Sequence, residues 1–294
     1  MRKKFLTHFK SAFVVASLCC TAPIISSVNS ADNTISPPEE GKNFSLSIPA
    51  DPKEVLLELI YISPGSFSMG SPSLEIGRDE DETLHRVNIS NGYWIGRFEI
   101  TQEQYEPLMK ENLAKWKGAN IPAQSITYDK ALEFCKKLTK VAQDKGLPQN
   151  YRFTLPTEAQ WEYAARAGSI SALGNGKTFT GKESCPNLNE IAWFSENSEN
   201  KVHPIGLKQP NNWGIYDMQG NVAEWCLDFY APYPSDSVTD PMGPDKGNGR
   251  VLRGGSYAGW YGDAASCRTA CRISAQSSYV SYGTGFRVIL TNEK

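Results

Sequence analysis

Histidine is nearly missing. The 294-residue chain has three, His8, His85 and His203, and the first lies in a basic-then-apolar leader. A metal centre built on clustered histidines is therefore excluded by count. A dominant charge is also lacking. Thirty Lys and Arg stand against 32 Asp and Glu, a formal net charge of −2, which excludes a strongly basic nucleic-acid binder and an acidic solvating tail. Seven cysteines are too few for a disulfide scaffold, so an apolar core has to hold the fold. The 40% hydrophobic and 11% aromatic content can supply one. With 24 glycines and 18 prolines, the chain should be rich in loops rather than a helical bundle.

The one long apolar run is 11–25, preceded by Arg2, Lys3, Lys4 and Lys10. It is short for a membrane span and has the order of an export signal. Val28-Asn29-Ser30 offers small residues for cleavage before Ala31, making 1–30 a signal peptide. Cys19 and Cys20, following Leu18, offer the alternative of a lipoprotein signal ending there. The expectation is an exported protein. It would be an outer-membrane or cell-surface lipoprotein, or else periplasmic or secreted, meeting the membrane only through a lipid anchor. Residues 31–53 read as a flexible tether. Cleavage after Ser30 would leave Cys135, Cys185, Cys226, Cys267 and Cys271, an odd set with at least one unpaired thiol.

Residues 54–294 show neither repeat nor compositional break and are expected to form one domain. Apolar strands are expected at 56–62, 86–89 and 93–100. Thr101 with Gln104 and Thr157 with Gln160 are capping boxes that start helices. Thr127 caps a further helix, with Ala131, Leu132, Cys135, Leu138 and Val141 at helical spacing. Beyond Gly168 the chain turns irregular, with short strands. Helices early and short strands late predict an α+β fold.

Five stretches then occur in order: Ser-Pro-Gly-Ser-Phe-Ser-Met-Gly-Ser at 63–71, Leu-Pro-Thr-Glu-Ala-Gln-Trp-Glu-Tyr-Ala-Ala-Arg at 155–166, Gly-Ile-Tyr-Asp-Met-Gln-Gly-Asn-Val-Ala-Glu-Trp at 214–225, Arg-Val-Leu-Arg-Gly-Gly-Ser-Tyr at 250–257 and Gly-Phe-Arg at 285–287. The set resembles the formylglycine-generating-enzyme (sulfatase-modifying factor) family. The resemblance implies a loop-rich C-type-lectin-like fold. It also implies where chemistry would sit, because the family's oxidases hold copper on two cysteines after Gly-Gly-Ser. The matching positions here are Gly259 and Ala264, neither of which can ligate a soft metal. Cys267 and Cys271 stand nearby at the wrong offsets. No copper or iron, and no enzymatic activity, is expected.

The segment 257–284 is more than half Tyr, Ser, Ala and Gly, and contains no Lys, Glu, Met, Leu or Asn. Randomising both adenines of an Asn codon yields every residue type in it except those of Trp260 and Gln276, and never a stop codon. This pattern resembles the variable proteins of diversity-generating retroelements, which share the lectin-like fold. Tyr gives wide amphipathic contact with few rotatable bonds, while Ser, Gly and Asp adapt their hydrogen bonding. The expected ligand-facing set is Ala258, Gly259, Trp260, Tyr261, Gly262, Asp263, Ala265, Ser266, Cys271, Ile273, Ser274, Ser278, Tyr279, Ser281 and Tyr282, while Arg268, Ala270 and Arg272 are scaffold. The ligands would be proteins or glycans on other cells, not nucleic acid. The alternatives are a non-diversified envelope member of the family, either accessory oxidase or interaction module, and a calcium-dependent lectin.

The resemblance also marks Asp217, Gly220, Val222 and Glu224 as a segment for structural calcium. Two carboxylates around a Gly-containing turn supply the oxygen ligands a hard cation needs, and a turn capped by its own carboxylates is the other reading. Cys226 and Cys267 are candidates for a disulfide. The acidic run 79–82 reads as a solvated loop, His85 and His203 as surface or hydrogen-bonded residues, and Trp161, Trp213 and Trp225 as core.

Overall fold

The computed structural model describes residues 34–182 and 185–292. The export segment, with Cys19, Cys20 and His8, lies outside them. Five strands form the first sheet: β1 (Phe44–Ile48), β2 (Val55–Ile62), β5 (Tyr93–Gly96), β6 (Tyr151–Thr154) and β12 (Ile289–Asn292), in the order β1-β2-β5-β12-β6. The last strand thus sits between two early ones, pairing antiparallel with both β5 and β6. β3 (Gly65–Met69), β4 (His85–Ile89) and β8 (Val238–Thr239) form a three-stranded sheet. β7 (Ala223–Phe229), β9 (Arg250–Arg253), β10 (Arg272–Ala275) and β11 (Thr284–Gly285) form a third, in the order β10-β9-β7-β11.

The helices start where local chemistry says they should. Thr101 caps α1 (Gln102–Met109) and Thr157 caps α3 (Glu158–Arg166), each in a complete capping box. Thr127 caps α2 (Tyr128–Asp144), whose buried stripe is Ala131, Phe134, Cys135, Leu138 and Ala142. Leu132 and Val141, expected on that stripe, lie at its half-buried margins. Helices α1 and α2 and the first sheet enclose one core with Trp94, Phe134, Trp225 and Phe286; a second core gathers Trp161, Tyr93 and Met69.

Several expectations need correction. The folded unit begins before residue 54. Phe44, Leu46 and Ile48 of β1 are buried while Ser45 and Ser47 are not, so part of the expected tether is an alternating strand. The strand expected over 93–100 ends at Gly96, after which Ile100 hydrogen-bonds across to Phe286. Cys226 and Cys267 are both free, and they sit in separate apolar clusters. Glu82, in the run expected to be solvated, is fully buried. Trp161 and Trp225 are core, whereas Trp213 is half-buried against Tyr163.

Candidate ligand-binding surface

The segment 257–284 leaves β9 through Gly254-Gly255. A Cβ on Gly255, at φ +69°, would lie 2.7 Å from Cys267 Sγ and 2.9 Å from the Ser266 backbone, so only glycine fits. Ser256 then closes the first loop, its N–H donating to the Tyr261 carbonyl and its Oγ to that of Ala258. Tyr257 is tied down on both sides. Its N–H donates to Asn221 O, and its carbonyl accepts from Ser198 Oγ at 2.6 Å.

Buried arginines anchor the rest. Arg253 donates to the carbonyls of Thr269, Ala270 and Cys271 and pairs with Glu162. Arg268 pairs with Glu82 through both terminal nitrogens and with Glu75. Arg272 forms a two-bond fork on Glu158 and lies 3.6 Å from the centre of the Tyr233 ring. Arg287 forks on Glu224 and also donates to the carbonyls of Gly96 and Tyr216. Guanidinium–carboxylate forks fix direction as well as distance, and so hold an irregular segment in one conformation. Glu82, Glu158, Glu162 and Glu224 are buried with their partners, so breaking one of these pairs leaves a buried charge.

On this frame the expected contact residues divide. Gly259, Trp260, Asp263, Ser274, Ser278 and Tyr282 are exposed; Ala258, Tyr261, Ala265, Ser266, Ile273, Tyr279 and Ser281 are half-buried. Two expectations fail. Gly262 is buried, and a Cβ there would meet the Ala258 backbone at 2.6 Å. Cys271 is buried behind the surface, its thiol pushed up to about 12 by burial. It lies near Asp79 and Glu82, and Glu82 is already paired with Arg268.

Trp260, 92% exposed, neighbours Tyr261, which meets Tyr279 edge-on at 6.3 Å. Along the same stretch Val280 and Tyr282 are also more than half exposed. Asp263 caps a separate turn by accepting from Ser266 N–H, and Ala265 packs there beside Gly77. Ile273 and Ser274 lie on β10, which among the described residues pairs with β9 at the edge of its sheet. A cavity of about 220 Å³ lies between β2 and α1 and includes no residue of 257–284. The candidate surface is open.

Sequence reasoning missed Lys115 and Trp116. Trp116 meets Tyr257 at 5.1 Å and Tyr282 at 6.2 Å, both edge-on. The Lys115 ammonium lies 4.5 Å from the Trp116 ring centre and 5.2 Å from that of Tyr282. The available signal was a tryptophan in a polar, Lys-containing loop without helical or strand period.

The expected calcium segment runs along the frame below. Asp217 accepts from Gly206 N–H with one oxygen; the other is buried without a hydrogen-bond partner, and burial raises the carboxyl to about 6. Glu224 is committed to Arg287 and to Trp161 Nε1 at 2.7 Å. Glu99 accepts from Asn221 Nδ2 and Val222 N–H, and burial and the neighbouring carboxylates raise its pKa. The orphaned Asp217 oxygen fits a hard cation; Glu224 fits one only by sharing its carboxylate with Arg287. His85 hydrogen-bonds to Thr83 O, and His203 stacks on Trp193 at 3.7 Å, so both are hydrogen-bonded or packed residues.

Residues 45–292 match the sulfatase-modifying factor enzyme 1-like domain. The chain is 28% identical to the chaperone protein LppX of Paenibacillus barcinonensis, over 78% of this chain and 86% of that one. It is 38% identical to the formylglycine-generating enzyme of Streptomyces coelicolor, over 45% of each chain. Among solved structures, Treponema denticola variable protein 1 superposes with a TM-score of 0.71 at 28% identity, covering 84% of this chain and 98% of that one. PvdO from Pseudomonas aeruginosa superposes with a TM-score of 0.69 at 26% identity, covering 86% and 99%. The α+β, loop-rich lectin-like fold expected from the sequence is the fold found.

Proposed function

The chain belongs to the sulfatase-modifying factor enzyme 1-like family, and we propose that it is a non-catalytic member: an exported binding protein whose surface over 257–284 is diversified by a retroelement and meets protein ligands on other cells. The observation that carries this reading is the division within one segment. Its scaffold residues are buried and forked onto distant carboxylates, while Trp260, Tyr261 and Tyr279 follow one another ring to ring at the surface and Tyr282 is exposed beside Trp116. A rigid frame under replaceable side chains is what a variable surface requires. Gly259 and Ala264, standing where the family's oxidases carry copper-binding cysteines, support the absence of redox chemistry. The likeness to a variable protein supports diversification. The leader, with either a lipidated cysteine or cleavage after Ser30, supports display outside the cytoplasm; among the described residues no helix is long and apolar enough to cross a membrane.

A structural calcium ion belongs to the proposal, held by the orphaned Asp217 oxygen and the carbonyls of the Gly220–Val222 turn, with Glu224 serving mainly Arg287. Calcium added to chelator-treated protein should raise Tm, and Asp217→Asn should abolish the rise. An equal rise in both proteins would remove calcium from this turn.

The binding reading is tested with a displayed library of the full chain. Tyr261, Asp263, Ser278, Tyr279, Ser281 and Tyr282 are randomised by the Asn-codon scheme. Panning on an unrelated folded protein should enrich clones whose binding maps to those positions. A library that stays folded yet gives no binders to several such proteins overturns the reading.

A further inference from the structure

The aromatic face is not built from the variable segment alone. Lys115 and Trp116 come from the loop after α1, more than 140 residues earlier in the chain. Trp116 stands edge-on to Tyr257 and Tyr282, and the Lys115 ammonium lies over both the Trp116 and Tyr282 rings. Lys115 is exposed and pairs with no carboxylate among the described residues. The segment itself offers no exposed cation, because Arg268 and Arg272 are buried in their forks.

The genetic code makes this arrangement informative. Substituting the adenines of an Asn codon cannot produce Lys or Trp. The fixed loop supplies one of each at the edge of the surface: the lysine is a cation the segment otherwise lacks, and the tryptophan is a second one beside the exposed Trp260. Trp is over-represented among residues that dominate binding energy, and an ammonium over aromatic rings is attracted by their faces and held in place before any ligand arrives. Resting on the binding reading above, we infer that Lys115 and Trp116 are the constant half of the ligand face, and that they bias every variant toward protein surfaces presenting a carboxylate beside an apolar group. The variable residues choose among such surfaces. The constant pair provides an anchor common to all of them. An acidic protein segment suits the face better than a neutral one, since the added charge pair lies at an aromatic floor rather than in open water.

The test uses the same displayed full-chain library in three frames: wild-type, Lys115→Gln and Trp116→Ser. The probes are an immobilised peptide alternating Glu and Leu and its Gln-for-Glu counterpart. Unselected clones of each frame are first confirmed to melt like the parent, with Trp116→Phe as a further variant should Trp116→Ser unfold. In the wild-type frame, binders to the acidic peptide should be recovered about tenfold more often than binders to the neutral one, a difference of about 1.4 kcal/mol. Lys115→Gln should erase that preference. The Trp116 variant should lower recovery on both probes. Equal recovery from all three frames, with binding still mapped to the variable positions, overturns this inference and leaves the binding reading standing. No binders from any folded frame overturns both.

Discussion

Replacing Arg268 by Met is expected to destabilise the protein more than any change on the exposed face. Arg268 has no exposed side-chain surface, and neither has Glu82, which it meets at 2.5 and 2.8 Å. Glu75, its other partner, keeps some access to water. Deleting the guanidinium strands the Glu82 carboxylate, whose remaining donors are Ser71 Oγ and the Asp79 N–H. Leaving a buried charge unpaired costs about 3–5 kcal/mol. For a domain of this size that lowers Tm by roughly 6–20 °C. Paired with Glu82→Gln, the same substitution leaves no charge at position 82, only the partly solvated Glu75 without its partner, while Gln still accepts from Ser71. The double variant should therefore recover more than half of the loss. Arg268 holds Glu82 below its ordinary pKa, so the pair stabilises the fold above the normal carboxylate range, and that contribution falls away as pH drops through it. Calorimetry at neutral pH on the wild type, the single variant and the double variant decides the matter. A single variant within about 1 kcal/mol of the wild type would refute the reasoning, since a broken buried pair should cost more. So would a double variant no better than the single, because the loss would then be one of packing.

Asp228 is buried beside Glu158, and burial raises it to about 7, so the fold favours its protonated form. Its contribution is full below the ordinary Asp pKa and lost as pH rises to neutrality. Asp228→Asn should accordingly gain on the order of 2–4 kcal/mol relative to wild type between about pH 4 and pH 8, and a pH-independent difference in Tm would contradict this. Trp260→Ser, at a residue 92% exposed, should change stability by less than about 0.5 kcal/mol. Gly262→Ala, two residues on, should cost about 1–3 kcal/mol because its Cβ meets the Ala258 backbone. Denaturant melts of the two proteins read the contrast directly.

What the sequence made legible was local. Thr101 with Gln104 and Thr157 with Gln160 satisfy each other across three residues, so both helix starts could be read without knowledge of the fold. The alternation Phe44-Ser45-Leu46-Ser47-Ile48 was equally local, but it was masked by the polar, Pro-containing residues before it. Pairings made through space left no such trace. Arg268 finds Glu82 across 186 positions, which turned an apparently solvated acidic run into a buried anchor. Gly262 and Cys271 looked like variable positions because composition reports residue type, not the direction a side chain takes. Trp116 escaped notice for the reverse reason, since its partners Tyr257 and Tyr282 reach it only once the sheets have formed.

The central claim is that 257–284 is a replaceable surface on a fixed frame, and the nucleotide sequence of this gene in many independent isolates tests it most directly. The account predicts substitutions concentrated at exposed or half-buried codons such as those of Tyr261, Ser278, Tyr279, Ser281 and Tyr282. They should fall where a nearby template repeat carries adenine, with Arg268, Arg272, Gly262, Lys115 and Trp116 unchanged. Differences spread evenly along the gene, or absent from that segment, would contradict it and leave a fixed envelope protein of the same fold.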